Sequence, residues 1–259
     1  MIFSSSDSPP PGVSRREWRR RIASETPQDA PVQARPSPAD PQSNPLHADQ
    51  APDVQDAAQP SAPHVLTILT VCTGNICRSP MAEVLLRARL EPLGVRVHSA
   101  GTHALVDHEM TAPAQALAVE SGAKPADAAA HAARYLVEPY LLDADLVLAM
   151  AREHRSHAVK MVPSRMRRTF TVREFARLAS TLDTEAARAA ADAAGTDPKA
   201  RLAAVLQAVN AQRGLMPAAP EDDDVIDPYR RSQETYAMSA AQLVPALDEV
   251  ERVVRAALS

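Results

Sequence analysis

The sequence predicts an α/β domain built on a parallel sheet with helices on both faces. From residue 65 onward, apolar strand-like runs alternate with amphipathic stretches of helix length, the pattern of parallel strands joined by helical crossovers. The first apolar run leads straight into Cys72-Thr73-Gly74-Asn75-Ile76-Cys77-Arg78-Ser79-Pro80, a short loop that opens the first helical stretch. In such sheets ligands sit outside the carboxyl ends of the strands, and the loop falls at that place.

The elements follow in order. Val65-Leu66-Thr67-Ile68-Leu69-Thr70 makes the first strand, near 65–71, and a helix follows near 79–93. Further strands are expected near 95–98, 145–150 and 168–172, with helices near 111–122, 131–142 and 152–161. The last helix, near 231–257, carries Ala240, Leu243, Leu247, Val250 and Val254 at helical spacing, which marks a core stripe rather than a cofactor site. Between Leu182 and Ala194 the chain is alanine-rich and helix-prone, and Asp197-Pro198 starts a second helical pattern through Gln212. Together these read as a helical hairpin inserted on the surface at about 179–223. Gly214 to Asp224 is rich in proline and acid, so it reads as a flexible loop in which Asp222, Asp223 and Asp224 form a solvated run. Eight basic residues against two acidic ones lie between Arg152 and Arg177, read as a solvated helical face or as a contact for an anionic phosphoprotein.

Composition sets the boundaries. Twelve of the 23 prolines fall before residue 64, in a stretch poor in aliphatics. Residues 1–63 therefore read as a disordered tail and 64–259 as one domain with its insertion. The cluster Arg15, Arg16, Arg19, Arg20 and Arg21 around Trp18 reads as a solvated tail, a docking peptide or an anionic-surface contact. Its paired arginines are not followed by the apolar run of an export signal. A net charge of −4 gives no sign of a nucleic-acid partner, and no segment reaches membrane-spanning length. The expected location is the cytoplasm; oligomeric state stays open. Cys72 and Cys77 are the two cysteines, too few for a disulfide framework or a zinc site.

The loop carries the chemistry. A helix start leaves N–H groups unpaired and adds partial positive charge, so a loop curled onto it becomes a nest for phosphate-like anions. Gly74 permits tight turning, and Asn75 tolerates left-handed backbone angles. Arg78 offers a planar fork of donors for two oxygens of a tetrahedral anion. Cys72 would lie beneath that anion, where the amides and Arg78 favour the reactive thiolate, and Ser79 can donate a hydrogen bond to the sulfur. An isolated cysteine at a strand end would more simply be a small buried residue. Here the spacing, the loop residues and the strand–loop–helix setting coincide.

The run from Cys72 to Glu83, C-T-G-N-I-C-R-S-P-M-A-E, resembles the signature of the low-molecular-weight protein tyrosine phosphatase family, bacterial branch. Val97 to Thr102, His131-Ala132-Ala133-Arg134, Ala144 to Met150 and Val225-Ile226-Asp227-Pro228-Tyr229 match later family segments in order, so the resemblance covers about 65–178 and 224–258. It implies a three-layer, four-stranded parallel sheet of order 2-1-3-4. It also implies a phosphotyrosine phosphatase working without metal or cofactor through a cysteinyl-phosphate intermediate, with a phosphotyrosine-containing protein as substrate. Cys72 is then the nucleophile, Arg78 the anion clamp and Asp227 the general acid. Thr73, Gly74, Asn75, Ile76, Cys77 and Ser79 form the cradle, and Tyr229 walls the pocket. Ser99 and His131 brace Asn75 and Ser79; by chemistry alone they equally end a strand and cap a helix. Cys77 is either a partner that traps oxidised Cys72 as a disulfide or loop packing.

Residues 103–110 and Ile76 are expected to line the mouth. An apolar Ile76 suits a phenyl ring, whereas related protein-arginine phosphatases have threonine there. Ala104-Leu105-Val106 and Arg230 to Tyr236 look like bacterial enzymes paired with tyrosine kinases of capsule or exopolysaccharide export. The alternatives are a phosphoarginine phosphatase, an external-thiol-linked arsenate reductase, and a non-catalytic phosphotyrosine-binding scaffold.

Overall fold

Side-chain alternation along the strands builds the layers of the computed structural model, which describes residues 66–259. The tail reading and its arginine cluster lie outside the described residues. Strands β1 (Leu66–Cys72), β2 (Val95–Gly101), β3 (Leu146–Ala149) and β4 (Thr169–Thr171) pair in parallel in the order β2-β1-β3-β4, the order the resemblance implied. Leu66, Ile68, Leu146 and Leu148 face one core, and Leu69, Val71 and Val147 face the other. A period of two residues sends neighbours to opposite faces, so the central strands β1 and β3 feed both cores and are buried along their whole length.

Nine helices are named here among the described residues: α1 (Arg78–Leu90), α2 (Ala112–Glu120), α3 (Pro125–Ala129), α4 (Glu138–Asp143), α5 (Arg152–Met161), α6 (Val172–Ala179), α7 (Thr184–Asp192), α8 (Pro198–Ala211) and α9 (Gln233–Leu258). Helices α4 and α5 cover one face through Leu141 and Ala158. Helices α1, α6 and α9 cover the other through residues such as Leu85, Phe175 and Leu247. The alanine-rich pair α7 and α8 joins that second core with Ala187, Ala191, Leu202 and Val205. Asp183 and Asp197 cap the two, each accepting a first-turn N–H at 2.8 and 2.9 Å.

Three segments differ from the sequence reading. The helix expected from 131 starts only at Glu138, because residues before it are extended and paired. Gly101 N–H donates to the Arg134 carbonyl and Leu136 N–H to that of Gly101, while Ala133 exchanges bonds with Asp107 and His108. A helix there would forfeit those partners. The basic stretch 152–177 is not one solvated face: it contains α5, β4 and α6, and Phe170 and Phe175 within it are fully buried. Helix α6 is fixed by a capping box in which Glu174 N–H donates to Thr171 Oγ1 at 3.1 Å and Thr171 N–H to Glu174 Oε2 at 3.2 Å.

Candidate active site

At the end of β1 the chain curls from Cys72 to Arg78 and enters α1 without a side-chain cap. Every carbonyl of the curl is turned outward and bonded. Thr102 N–H donates to Cys72 O, His103 to Thr73 O, Leu105 to Gly74 O, Thr111 to Ile76 O and Met81 to Cys77 O, over 2.9–3.2 Å. His131 Nε2 donates to the Asn75 carbonyl at 2.8 Å. With the carbonyls occupied outside, the N–H groups are the dipoles that face the cavity, and they add to the uncapped helix start.

Two donors converge on the Cys72 sulfur, the Asn75 N–H at 3.3 Å and the Ser79 hydroxyl at 3.0 Å. The sulfur is thus held as an acceptor at the floor, which suits a thiolate. The left-handed position of the loop is Asn75, with φ of 57°, whereas Gly74 is not at positive φ. A Cβ on Gly74 would meet only ordinary contacts, the nearest being Ile76 Cγ1 at 3.5 Å, so the turning role expected of Gly74 belongs to Asn75. The demanding glycine is Gly101, where a Cβ would lie 2.4 Å from the Thr73 carbonyl oxygen. No sequence signal in the loop itself points to it.

Asn75, itself fully buried, is the hub of a hydrogen-bond network. Its Nδ2 donates to Ser79 Oγ at 2.9 Å and to Ser99 Oγ at 2.7 Å, and its Oδ1 accepts the Arg134 N–H at 2.9 Å. Ser99 Oγ donates a hydrogen bond to Glu83 Oε2, and His131 Nδ1 lies 3.5 Å from the same carboxylate oxygen. Arg87 also pairs with Glu83. Burial pushes the Glu83 carboxyl up, but hydrogen bonds from His131 and Ser99 and the Arg87 cation outweigh it and hold it below its ordinary value. Ser99 and His131 therefore touch Asn75, and neither merely ends an element. Glu83, which ties them together, escaped sequence reasoning because the contacts bridge α1, β2 and the 131–134 segment.

Above the sulfur, Arg78 Nη2 pairs with Asp227 Oδ2 at 2.8 Å, and its Nη1 donates to the Val225 carbonyl at 3.2 Å. Arg78 is 5% exposed and Asp227 52%, so the pair spans the cavity from floor to mouth. Arg78 Nε is buried without a partner among the described residues, a donor that suits a bound oxyanion. The cavity measures about 280 Å³. Cys72, Thr73, Cys77 and Arg78 form its base, while Gly74, Ile76, Leu105 and Tyr229 supply apolar walls, with His103 and Arg230 at the rim. Arg230 was not anticipated there; its guanidinium lies 5.1 Å from the Tyr229 ring centroid. Of residues 103–110, His103 and Leu105 line the cavity.

Cys77 sits 3.4 Å from Thr111 Oγ1 and 3.6 Å from the Tyr236 hydroxyl. Burial pushes its thiol up, against those hydrogen bonds, and burial also pushes Tyr236 up to about 12. Both cysteines are free thiols. His154, at the start of α5, meets Thr73 Oγ1 at 2.8 Å. Burial, then the Arg78 cation and the rings of His157 and His103, push it down to about 3, which keeps it neutral beside the cradle.

The approach to Asp227 is strapped, not loose. Asp223 pairs with Arg177 at 2.8 Å, Asp224 Oδ1 accepts the Arg152 N–H at 2.7 Å, and Asp222 accepts that of Ala219 at 3.2 Å. The run read as solvated acids is therefore a set of ties. Its acid-rich composition masked this, since each partner lies far away in sequence or on the backbone.

Comparisons with known proteins bear on the fold and the family. The family model for low molecular weight phosphotyrosine protein phosphatase matches residues 67–212. The chain is 45% identical over 97 residues to the low molecular weight protein-tyrosine-phosphatase Etp of Escherichia coli K12, spanning 38% of this chain and 62% of that relative's length. It is 40% identical over 108 residues to a protein-arginine-phosphatase of Geobacillus stearothermophilus, covering 42% of this chain and 70% of the relative. Among solved structures, a YwlE mutant from Bacillus subtilis superposes with a TM-score of 0.51 at 25% identity, covering 73% of this chain and 99% of that one.

Proposed function

The chain belongs to the low molecular weight phosphotyrosine protein phosphatase family, and from that premise we propose that it hydrolyses phosphotyrosine in proteins. The observation that carries the reading is one cavity lined by Cys72, whose Sγ accepts two hydrogen bonds, and by the paired Arg78 and Asp227. The phosphate enters the curl, takes up the inward N–H groups and Arg78 Nε, and draws Arg78 from Asp227. The Cys72 thiolate attacks phosphorus, the bond from phosphorus to the phenol oxygen breaks, and Asp227, which takes up a proton from solvent once Arg78 has left it, delivers that proton to the oxygen. Charge developing on the equatorial oxygens is met by dipoles already in place. Water, giving its proton back to Asp227, then breaks the bond between sulfur and phosphorus. The Ser79 hydroxyl steadies the departing thiolate through the 3.0 Å contact seen here.

The apolar walls of Ile76, Leu105 and Tyr229 favour a flat phenyl ring over a guanidinium. The test is hydrolysis of phosphotyrosine and phosphoarginine peptides side by side, in chelator, with wild type and Cys72→Ser. Phosphotyrosine turnover that vanishes in the variant is expected. Preference for phosphoarginine would overturn the substrate assignment, and undiminished activity of Cys72→Ser would overturn the mechanism. Binding of phosphotyrosine peptide without turnover would favour the scaffold reading instead.

A further inference from the structure

We propose that Arg173 on α6 and Gln242 on α9 are positioning residues that hold the Asp227 segment over the cradle while Arg78 is engaged with substrate. This rests on the phosphatase reading. The Asp227 carboxylate has two partners among the described residues: Arg78 at 2.8 Å and, within its own loop, the Tyr229 N–H at 3.2 Å. The first is the cation that the phosphate must recruit. Once Arg78 turns to the anion, the acid side chain keeps no tie to the cradle, and its place depends on the backbone behind it.

That backbone is an irregular run containing Pro217, Pro220 and four consecutive acids, a composition that favours a wandering chain. Besides the ties of the Asp223 and Asp224 side chains to Arg177 and to the Arg152 N–H, its backbone is held from two helices. Arg173 Nη1 donates to the Glu221 carbonyl at 3.2 Å and to the Asp224 carbonyl at 2.7 Å, closing both ends of one turn. On the other side, Gln242 Oε1 accepts the Ile226 N–H at 2.8 Å, one residue before the acid. Val225 N–H donates to the Met150 carbonyl at 2.9 Å, so the strand end and both helices share the load. Arg173 and Gln242 are half-buried, line no part of the cavity and touch neither Cys72 nor Arg78.

A general acid must reach the leaving oxygen within hydrogen-bond distance, and its value grows as the leaving group worsens. Loosening the segment should therefore cost most for poor leaving groups, unlike a loss of folded protein, which scales every substrate alike. The experiment measures kcat/KM on the full chain for aryl phosphates ranging from nitrophenols to unsubstituted phenol. The proteins are wild type, Arg173→Met, Gln242→Met, Asp227→Ala and the doubles with Asp227→Ala. We expect each single positioning variant to lose about 10- to 100-fold on phenyl phosphate and less than about twofold on the best leaving group. On the Asp227→Ala background the same substitutions should add almost nothing, because the group they position is gone. An equal loss across the series, no loss, or full additivity with Asp227→Ala would overturn the proposal. If Asp227→Ala shows leaving-group dependence while both positioning variants behave as wild type, this inference fails and the phosphatase reading stands. A wild type inert toward the whole series would overturn both.

Discussion

Replacing Asn75 separates two jobs that one residue performs. Alanine at this position must adopt φ of 57°, a strain of about 1–2 kcal/mol for a residue with a Cβ and no local side-chain compensation. It also deletes the bonds to Ser79 at 2.9 Å, Ser99 at 2.7 Å and the Arg134 N–H at 2.9 Å. The losses are unequal. Ser99 still donates to Glu83 and Ser79 still donates to Cys72, so neither hydroxyl is stranded. The Arg134 N–H is left without an acceptor, at about 1–3 kcal/mol. Asn75→Ala should thus destabilise by about 3–6 kcal/mol, allowing about 1 kcal/mol for the two weakened hydroxyl contacts. Asn75→Gly relieves the strain but adds unfolded-chain freedom, so it should equal the alanine variant or exceed it by up to about 1 kcal/mol. Urea unfolding of the full chain reads both, and hydrolysis of an aryl phosphate reads the cradle. Both variants should lose turnover well beyond their loss of folded protein, because the Ser79 hydroxyl, though still within reach of the sulfur, loses the Nδ2 donor that orients it. A loss under about 1 kcal/mol for alanine, or a glycine variant clearly less stable than the alanine one, would refute the reasoning.

Two further outcomes follow from buried groups. His98 is pushed down from 6.5 to about 4, chiefly by burial with help from Arg96 and Arg134, and neither ring nitrogen has a hydrogen-bond partner among the described residues. The unfolded chain therefore binds a proton that the fold does not, so stability is present above the ordinary histidine value and falls as pH drops below it. Near pH 5 this costs about 2 kcal/mol relative to pH 8. His98→Phe, which keeps the edge contact with Tyr140, should flatten that part of the urea-midpoint profile, and an unchanged slope would count against it. Gly101→Ala places a methyl 2.4 Å from the Thr73 carbonyl oxygen, so the loop must shift. Turnover should fall at least about 100-fold while the sheet signature in circular dichroism survives; near-normal activity would show that the approach is not as tight as drawn.

The strands and α1 were legible because buried parallel strands and a strand–loop–helix junction leave dense local marks. Cys72, Asn75, Arg78 and Ser79 were legible because they are consecutive or nearly so. Helix α6 carried a readable cap, Thr171-x-x-Glu174, but apolar periodicity over so few residues is weak. The segment 131–137 misled in the opposite sense: alanines favour helix, yet its N–H and carbonyl groups are claimed by Gly101, Asp107 and His108. Glu83, Gly101 and Arg173 matter through partners at least 16 residues away, and nothing local in a single sequence announces such pairs.

The outward carbonyls of the Cys72–Cys77 curl have a consequence for how such a site changes over time. Substitution edits side chains and leaves peptide groups alone. An anion seat made of amides is thus shielded from most single changes, while Thr73 and Ile76 present their side chains to the incoming ester and stay open to replacement. The attacking end and the selecting end are written in different parts of the same few residues. A lineage can therefore exchange one phosphorylated side chain for another at little risk to the bond-breaking step, retuning its diet without rebuilding its jaw.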